Sequence, residues 1–168
     1  MNKIKMIYTL IISVLLIAGI TACSGDSNDS GNDEFSKVNK TNTSGLTEFQ
    51  LKHGFGPIKK EIKLKPIDPE LAKTGEKIFE SKCATCHKLD ERYTGPAQRN
   101  VLQRVTPEFF LNMVLNPDEN IEKHPHAKDM LAKYMQKMTN QNVTIKDALA
   151  LLEYFRVLDE ELTKNQTK

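Results

Sequence analysis

The run Lys82-Cys83-Ala84-Thr85-Cys86-His87-Lys88 holds two of the chain's three cysteines and one of its four histidines. Two cysteines separated by two residues serve as a disulfide, a redox dithiol, half of a zinc site or a haem attachment site. The residue that follows decides among these. Thiols at this spacing reach the two vinyl groups of a haem while the next imidazole comes beneath the iron. Zinc would need two further ligands, for which His124 and His126 are the donors on offer. A dithiol of the thioredoxin kind wants alternating strands and helices around it, whereas the flanks here read as helical. A five-residue string also arises by chance in a chain with no redox role, so the surroundings carry weight.

Upstream, Asp68-Pro69-Glu70 reads as a helix start: a capping acceptor, proline where its missing N–H is harmless, and an acid near the positive helix end. The spacing predicts a helix to about Lys82, with Leu71, Gly75, Ile78 and Phe79 on one side and Lys73, Glu76, Lys77 and Glu80 on the other. A second helix is predicted over Thr144 to Val157, closing near Leu158, with Ala148, Leu151, Leu152, Tyr154 and Phe155 along it. Gly75 and Phe79 stand eight and four residues before Cys83, and in this the chain resembles class I cytochromes c. The resemblance implies an all-α fold of three or four helices around one covalently bound haem c. It also implies that the two predicted helices cross closely at the glycine, with Tyr154 or Phe155 meeting Phe79. Gly95-Pro96, with Pro96 nine residues past His87, matches the small bacterial members. By that resemblance the Pro96 carbonyl accepts a hydrogen bond from the second ring nitrogen of His87, an axial iron ligand. As plain sequence, Gly-Pro also marks an ordinary turn.

The resemblance implies a thioether as sixth ligand, and Met113, Met130, Met135 and Met138 lie downstream. Met138 precedes Tyr154 by 16 residues and is followed by a polar loop and the Thr144 cap, the family layout, so it is the expected ligand. Thr139 stands where many relatives have proline. Met135 is the main competitor. Met113 falls on the apolar stripe of a short helix predicted over Thr106 to Leu115, and Met130 on one over about His126 to Gln136, where packing explains them. His53, His124 and His126 read first as surface residues, with a bis-histidine haem as the alternative, and His124-Pro125-His126 as part of an insertion.

At the N-terminus, Lys3 and Lys5 precede an apolar run from Met6 to Ile20 and then Thr21-Ala22-Cys23, the charge order of an export signal. Ile20-Thr21-Ala22-Cys23 resembles the bacterial lipobox, implying acylation of Cys23; an uncleaved membrane anchor is the alternative. Residues 23–45, rich in Ser, Gly, Asn, Asp and Thr, bury too little to offset their ordering entropy and read as a flexible tether. The expected organisation is a signal over 1–22, tether 23–45, N-terminal extension 46–67, cytochrome domain 68–161 and polar tail 162–168. The extension, with Gly54-Phe55-Gly56-Pro57 and Lys59, Lys60, Lys63 and Lys65, reads as a strap on the domain surface or part of a docking face.

The formal charge of +2 and the lack of any nucleic-acid motif exclude a phosphate-backbone binder. No tryptophan and 7% aromatics leave a modest core, which a buried macrocycle would complete. The resemblance implies a one-electron carrier, not an enzyme: a monomer tethered in the bacterial cell envelope, facing the periplasm. A quinol-oxidising complex would be its donor. A terminal oxidase or a nitrogen-oxide reductase, such as nitrous oxide reductase, would be its acceptor. Lys82, Lys88, Arg92, Lys133 and Lys137 flank the haem-bearing segments and suit an acidic partner. The rival is a haem sensor or peroxidase-like enzyme with a labile sixth ligand.

Overall fold

The computed structural model describes residues 45–166, with side chains through residue 162, and these are helical with no strand. The expected signal, Cys23 and the tether up to residue 44 lie outside the described residues. In order come α1 (Glu48–His53), α2 (Pro69–Ile78), a π-helical turn (Phe79–Cys83), α3 (Val101–Arg104), α4 (Pro107–Leu115), α5 (Pro117–Lys123), α6 (Pro125–Tyr134) and α7 (Ile145–Gln166). Among the described residues no helix is long and apolar enough to cross a membrane.

Local chemistry sets the helix starts. Asp68 Oδ1 accepts from the Glu70 and Leu71 amides at 3.0 and 3.1 Å, and Thr106 Oγ1 from Phe109 N at 3.1 Å. At α7, Asp147 N donates to Thr144 Oγ1 at 3.1 Å and Thr144 N to Asp147 Oδ2 at 3.3 Å. Proline opens α2, α4, α5 and α6.

Helices α2 and α7 cross where a Cβ on Gly75 would collide with the Ala150 carbonyl and lie 2.9 Å from Leu151 N. Only a residue without a side chain permits that approach. One turn on, Phe79 meets both aromatics offered by α7: Phe155 edge-on at 5.5 Å and Tyr154 at 5.9 Å. Phe110 of α4 closes the cluster against Phe155 at 5.4 Å, with Leu111, Leu151 and Leu152 buried around it. Each such side chain, fully buried, contributes about 1.5–3 kcal/mol.

Four expectations are corrected. The final helix runs to Gln166 rather than ending near Leu158, because residues 158–166 lack Gly and Pro and include the good helix formers Leu, Glu and Lys. The helix expected over about His126 to Gln136 spans Pro125–Tyr134, and α5 precedes it in what read as an insertion. The extension is not merely a surface strap: capped by a Thr47–Gln50 box, it forms α1 and then buries Gly54 to Gly56. Its lysines, Lys59, Lys60, Lys63 and Lys65, are exposed as read.

Finally, His53 and His124 are not surface residues; they are 2% and 4% exposed. His53 Nδ1 lies 2.8 Å from Thr106 Oγ1 and 3.1 Å from Glu108 Oε2. Asn112 completes this seam as a substitute for a neighbouring strand: Oδ1 accepts from Ile58 N at 3.0 Å, and Nδ2 donates to the carbonyls of His53 and Ile58. Asn120 does the same for Phe55, accepting from its N–H at 2.8 Å and donating to its carbonyl at 2.6 Å. Buried backbone groups of the strap are thereby satisfied; an unsatisfied one costs about 1–3 kcal/mol.

His124 Nε2 donates to Leu51 O at 3.0 Å, while Nδ1 is buried without a hydrogen-bond partner among the described residues. Burial therefore holds the imidazole pKa below its ordinary value. The neutral ring belongs to the folded state. As pH falls below about 6.5 the unfolded chain takes up a proton that the fold refuses, and stability is lost until the lower folded pKa is passed. Denaturant melts of the holoprotein between pH 7 and 5 are expected to show a shallower loss for His124→Gln than for the native chain. One proton is worth at most about 1.4 kcal/mol per pH unit; parallel pH slopes would refute the assignment.

Candidate functional site: the cavity behind Cys83, Cys86 and His87

The π-helical turn ends α2 at the first motif cysteine, with Ala84 N donating back to Phe79 O at 2.9 Å across five residues. Such turns disrupt the regular helical register and recur at functional sites. The motif then coils: Cys86 N and His87 N both donate to Cys83 O, at 3.0 and 2.9 Å. Residues 88–99 fold back over it. Gly95 N donates to Cys86 O at 2.8 Å, Gln98 N to Lys88 O at 2.9 Å and Arg99 N to Leu89 O at 2.8 Å.

This return places Pro96 O 3.0 Å from His87 Nδ1. A carbonyl oxygen only accepts, so Nδ1 carries the proton and Nε2 is left with its lone pair. Burial lowers the His87 pKa, its hydrogen bond to Pro96 opposing, which favours the neutral ring. Gly95 packs flat against the imidazole: a Cβ there would stand 2.7 Å from Nδ1 and would collide with Cε1.

Both cysteines are free thiols, and burial pushes the Cys83 thiol up to about 11. They and His87 line a cavity of about 430 Å³, within the ~300–1,000 Å³ of small-molecule sites. Phe79, Phe110, Val114, Leu131 and Phe155 give it apolar walls. Met113, Met130 and Met138 also line it, whereas Met135, in the left-handed region at φ 54°, is 84% exposed and does not. Of the three further histidines only His126 lines this cavity; His53 and His124 are committed to the seam described above. Among the described residues no three His, Cys, Asp or Glu side chains are grouped to hold a metal ion, so the zinc alternative finds no ligand set there.

Comparison with known proteins agrees with this geometry. The cytochrome c family model matches residues 72–159, more than half of the chain. The chain belongs to the cytochrome c family. Among solved structures it resembles a cytochrome c from Rhodothermus marinus at 38% identity and a TM-score of 0.63, covering 67% of this chain and 97% of that one. An engineered form of that cytochrome, bound to a carbene intermediate, matches at 38% identity and a TM-score of 0.60, over 66% and 96% of the two chains. A cytochrome c domain from Pseudomonas putida shares the fold at 24% identity and a TM-score of 0.51, over 56% and 95%. No curated protein sequence matches at a significant level.

The family's cofactor is covalently bound haem c, typically one in a cytochrome of this size. This chain's residues fit it: an apolar cavity, two unpaired thiols at its edge and an imidazole in the tautomer that offers Nε2. Sequence reading missed Gln98, 9% exposed, whose Nε2 lies 2.8 Å from His87 Nδ1. Nothing in a lone glutamine signals such a contact. It missed equally that Gly95 is the plate beneath the ring.

Gly95→Ala is expected to turn the His87 ring off the Pro96 carbonyl, cutting haem staining per unit protein to less than half on a denaturing gel. Equal staining with an unchanged absorption spectrum would show that the ring's seat is unimportant.

Proposed function

We propose that this cytochrome c is a membrane-tethered, one-electron carrier in a periplasmic respiratory chain. Cys83 and Cys86 hold the haem, each thiol adding S–H across one vinyl double bond with no net oxidation. His87 Nε2 and Met138 Sδ would hold its iron. When bound, the haem supplies one chemistry, the ferric–ferrous exchange of a single electron. The chain's own residues exclude water with Phe79, Phe110 and Phe155, and orient His87 through Pro96. The observation that carries this reading is the shared cavity: it gathers Cys83, Cys86, His87 and Met138, while Met135 points to solvent.

Lys82, Lys133 and Lys137 stand at the cavity with Arg104. Several cations near it also hold the structure: Lys82 Nζ donates to Gln141 O at 3.1 Å, Arg92 to Lys133 O at 3.1 Å, and Lys137 pairs with Asp118 at 2.7 Å. Their rim suits an acidic redox partner. Such partners are a quinol-oxidising complex on the donor side and a terminal oxidase or nitrogen-oxide reductase on the acceptor side. Acylation of Cys23 at the lipobox-like Ile20-Thr21-Ala22-Cys23, after removal of residues 1–22, would give a lipid anchor in the bacterial cell envelope. Residues 24–45 would then give the domain reach, about 5–6 Å times the square root of the residue number.

Met138→Ala is expected to abolish the weak long-wavelength charge-transfer band of methionine-ligated ferric haem and admit carbon monoxide to the ferrous iron. Met135→Ala should leave both properties unchanged. A native protein that lacks the band and takes up carbon monoxide readily would favour the sensor or peroxidase reading. Cys23→Ser is expected to move the protein from the membrane fraction to the soluble periplasm with its spectrum intact; retention on the membrane would replace the lipid by an uncleaved apolar anchor.

A further inference from the structure

Gln98 follows Pro96 by two residues and is buried beside the haem cavity. Its side-chain nitrogen touches two atoms already engaged with each other: His87 Nδ1 at 2.8 Å and Pro96 O at 3.0 Å, themselves 3.0 Å apart. These three atoms form a nearly equilateral triangle with one acceptor. The amide stands with its nitrogen toward both atoms and donates to the Pro96 carbonyl. With Nδ1 protonated, two N–H donors converge on one carbonyl, and the amide's positive end lies against the imidazole edge.

That arrangement has a definite electrostatic sign. A carbonyl that accepts from two donors pulls less strongly on each. The Nδ1–H bond is therefore less polarised, and His87 is a weaker electron donor than it would be with Pro96 O to itself. A partial positive charge fixed 2.8 Å from the ring, in a buried setting, also disfavours additional positive charge on the ring and whatever it binds. Both effects oppose the ferric state more than the ferrous. The backbone of Gln98 is tied independently, its N–H donating to Lys88 O at 2.9 Å and its carbonyl accepting from Val101 N at 3.0 Å, so the amide is held in place by more than its own contacts.

We propose that Gln98 is a positioning residue that raises the haem potential through His87, by sharing the Pro96 carbonyl and placing its amide dipole beside Nδ1. The proposal rests on the His87–iron bond of the preceding reading. It assigns the tuning of the couple, one electron per ferric–ferrous exchange, to a side chain that touches the axial ligand and not the iron.

The test uses the full holoprotein and two variants, Gln98→Leu and Gln98→Met, which keep bulk and remove the donor. Midpoint potentials by spectroelectrochemical titration are expected to fall in both, by at least about threefold in the equilibrium constant toward ferric. That is ~28 mV at 59 mV per decade for one electron. Gln103→Leu, at an exposed position, should keep the native potential. A role in packing alone would lower melting temperatures while leaving the potential in place, and that result overturns the proposal. In the unsubstituted ferrous protein, proton NMR is expected to show through-space contact between the Gln98 amide protons and His87 Nδ1–H. Its absence overturns the proposal even where the variants fail to fold. A native protein without the hyperfine-shifted resonances of a ligated histidine in its ferric state removes the His87–iron bond and the proposal together. Native His87 ligation with unshifted variants removes the proposal alone.

Discussion

The close crossing of α2 and α7 at Gly75 is the constraint from which the rest of the domain follows. A Cβ at that point would occupy the space of the Ala150 carbonyl, so the two helices approach to backbone contact only because the residue has no side chain. That approach lets Phe79 reach Tyr154 and Phe155 together. Phe79 also begins the π-helical turn that delivers Cys83, so one helix contact fixes both the aromatic wall of the cavity and the position of the motif at its edge. Spreading the helices by the width of a methyl group would loosen the wall and the cysteines alike.

Around that crossing the domain uses polar side chains where small proteins usually rely on apolar ones. Asn112 and Asn120 are both fully buried, and each satisfies backbone groups of the strap as a neighbouring strand would. The same logic operates on the other side of the cavity, where the Pro96 carbonyl chooses the tautomer of His87. In both places one acceptor or amide, at least half-buried with its partner, decides a geometry that hydrophobic packing alone would leave free.

Legibility followed the range of the interactions. The Asp68, Thr106 and Thr144 caps are local, and each helix begins where its cap stands. Gly75, Phe79 and the aromatics of α7 were readable because their spacing matches a family pattern, and the cytochrome c fold follows from it. Met138 and Met135 are three residues apart in equivalent-looking sequence; a left-handed residue at 135 turns one outward while the other lines the cavity. Asn112, Asn120 and His53 gave no sign of burial because their partners lie 53 to 65 residues away. Helix α5, opened by Pro117 with Asp118 and Glu119 in its first turn, went unread because no apolar stripe marks it in the sequence.

Sequence distance also governs when the domain can close. Gly75 and Ala150 are 75 positions apart, and the strap must wait for partners as far on as Asn120. A chain emerging from its N-terminus therefore presents α1, the strap and α2 before anything exists for them to pack upon. Short helices alone are marginal in water, so α1 and the strap gain durable structure once Asn112 and Asn120 have followed, and α2 only when the last helix arrives. Until then Cys83 has no α7 behind it and its thiol stands open to solvent. The architecture that later half-buries that thiol leaves it reachable throughout the interval before the last helix docks.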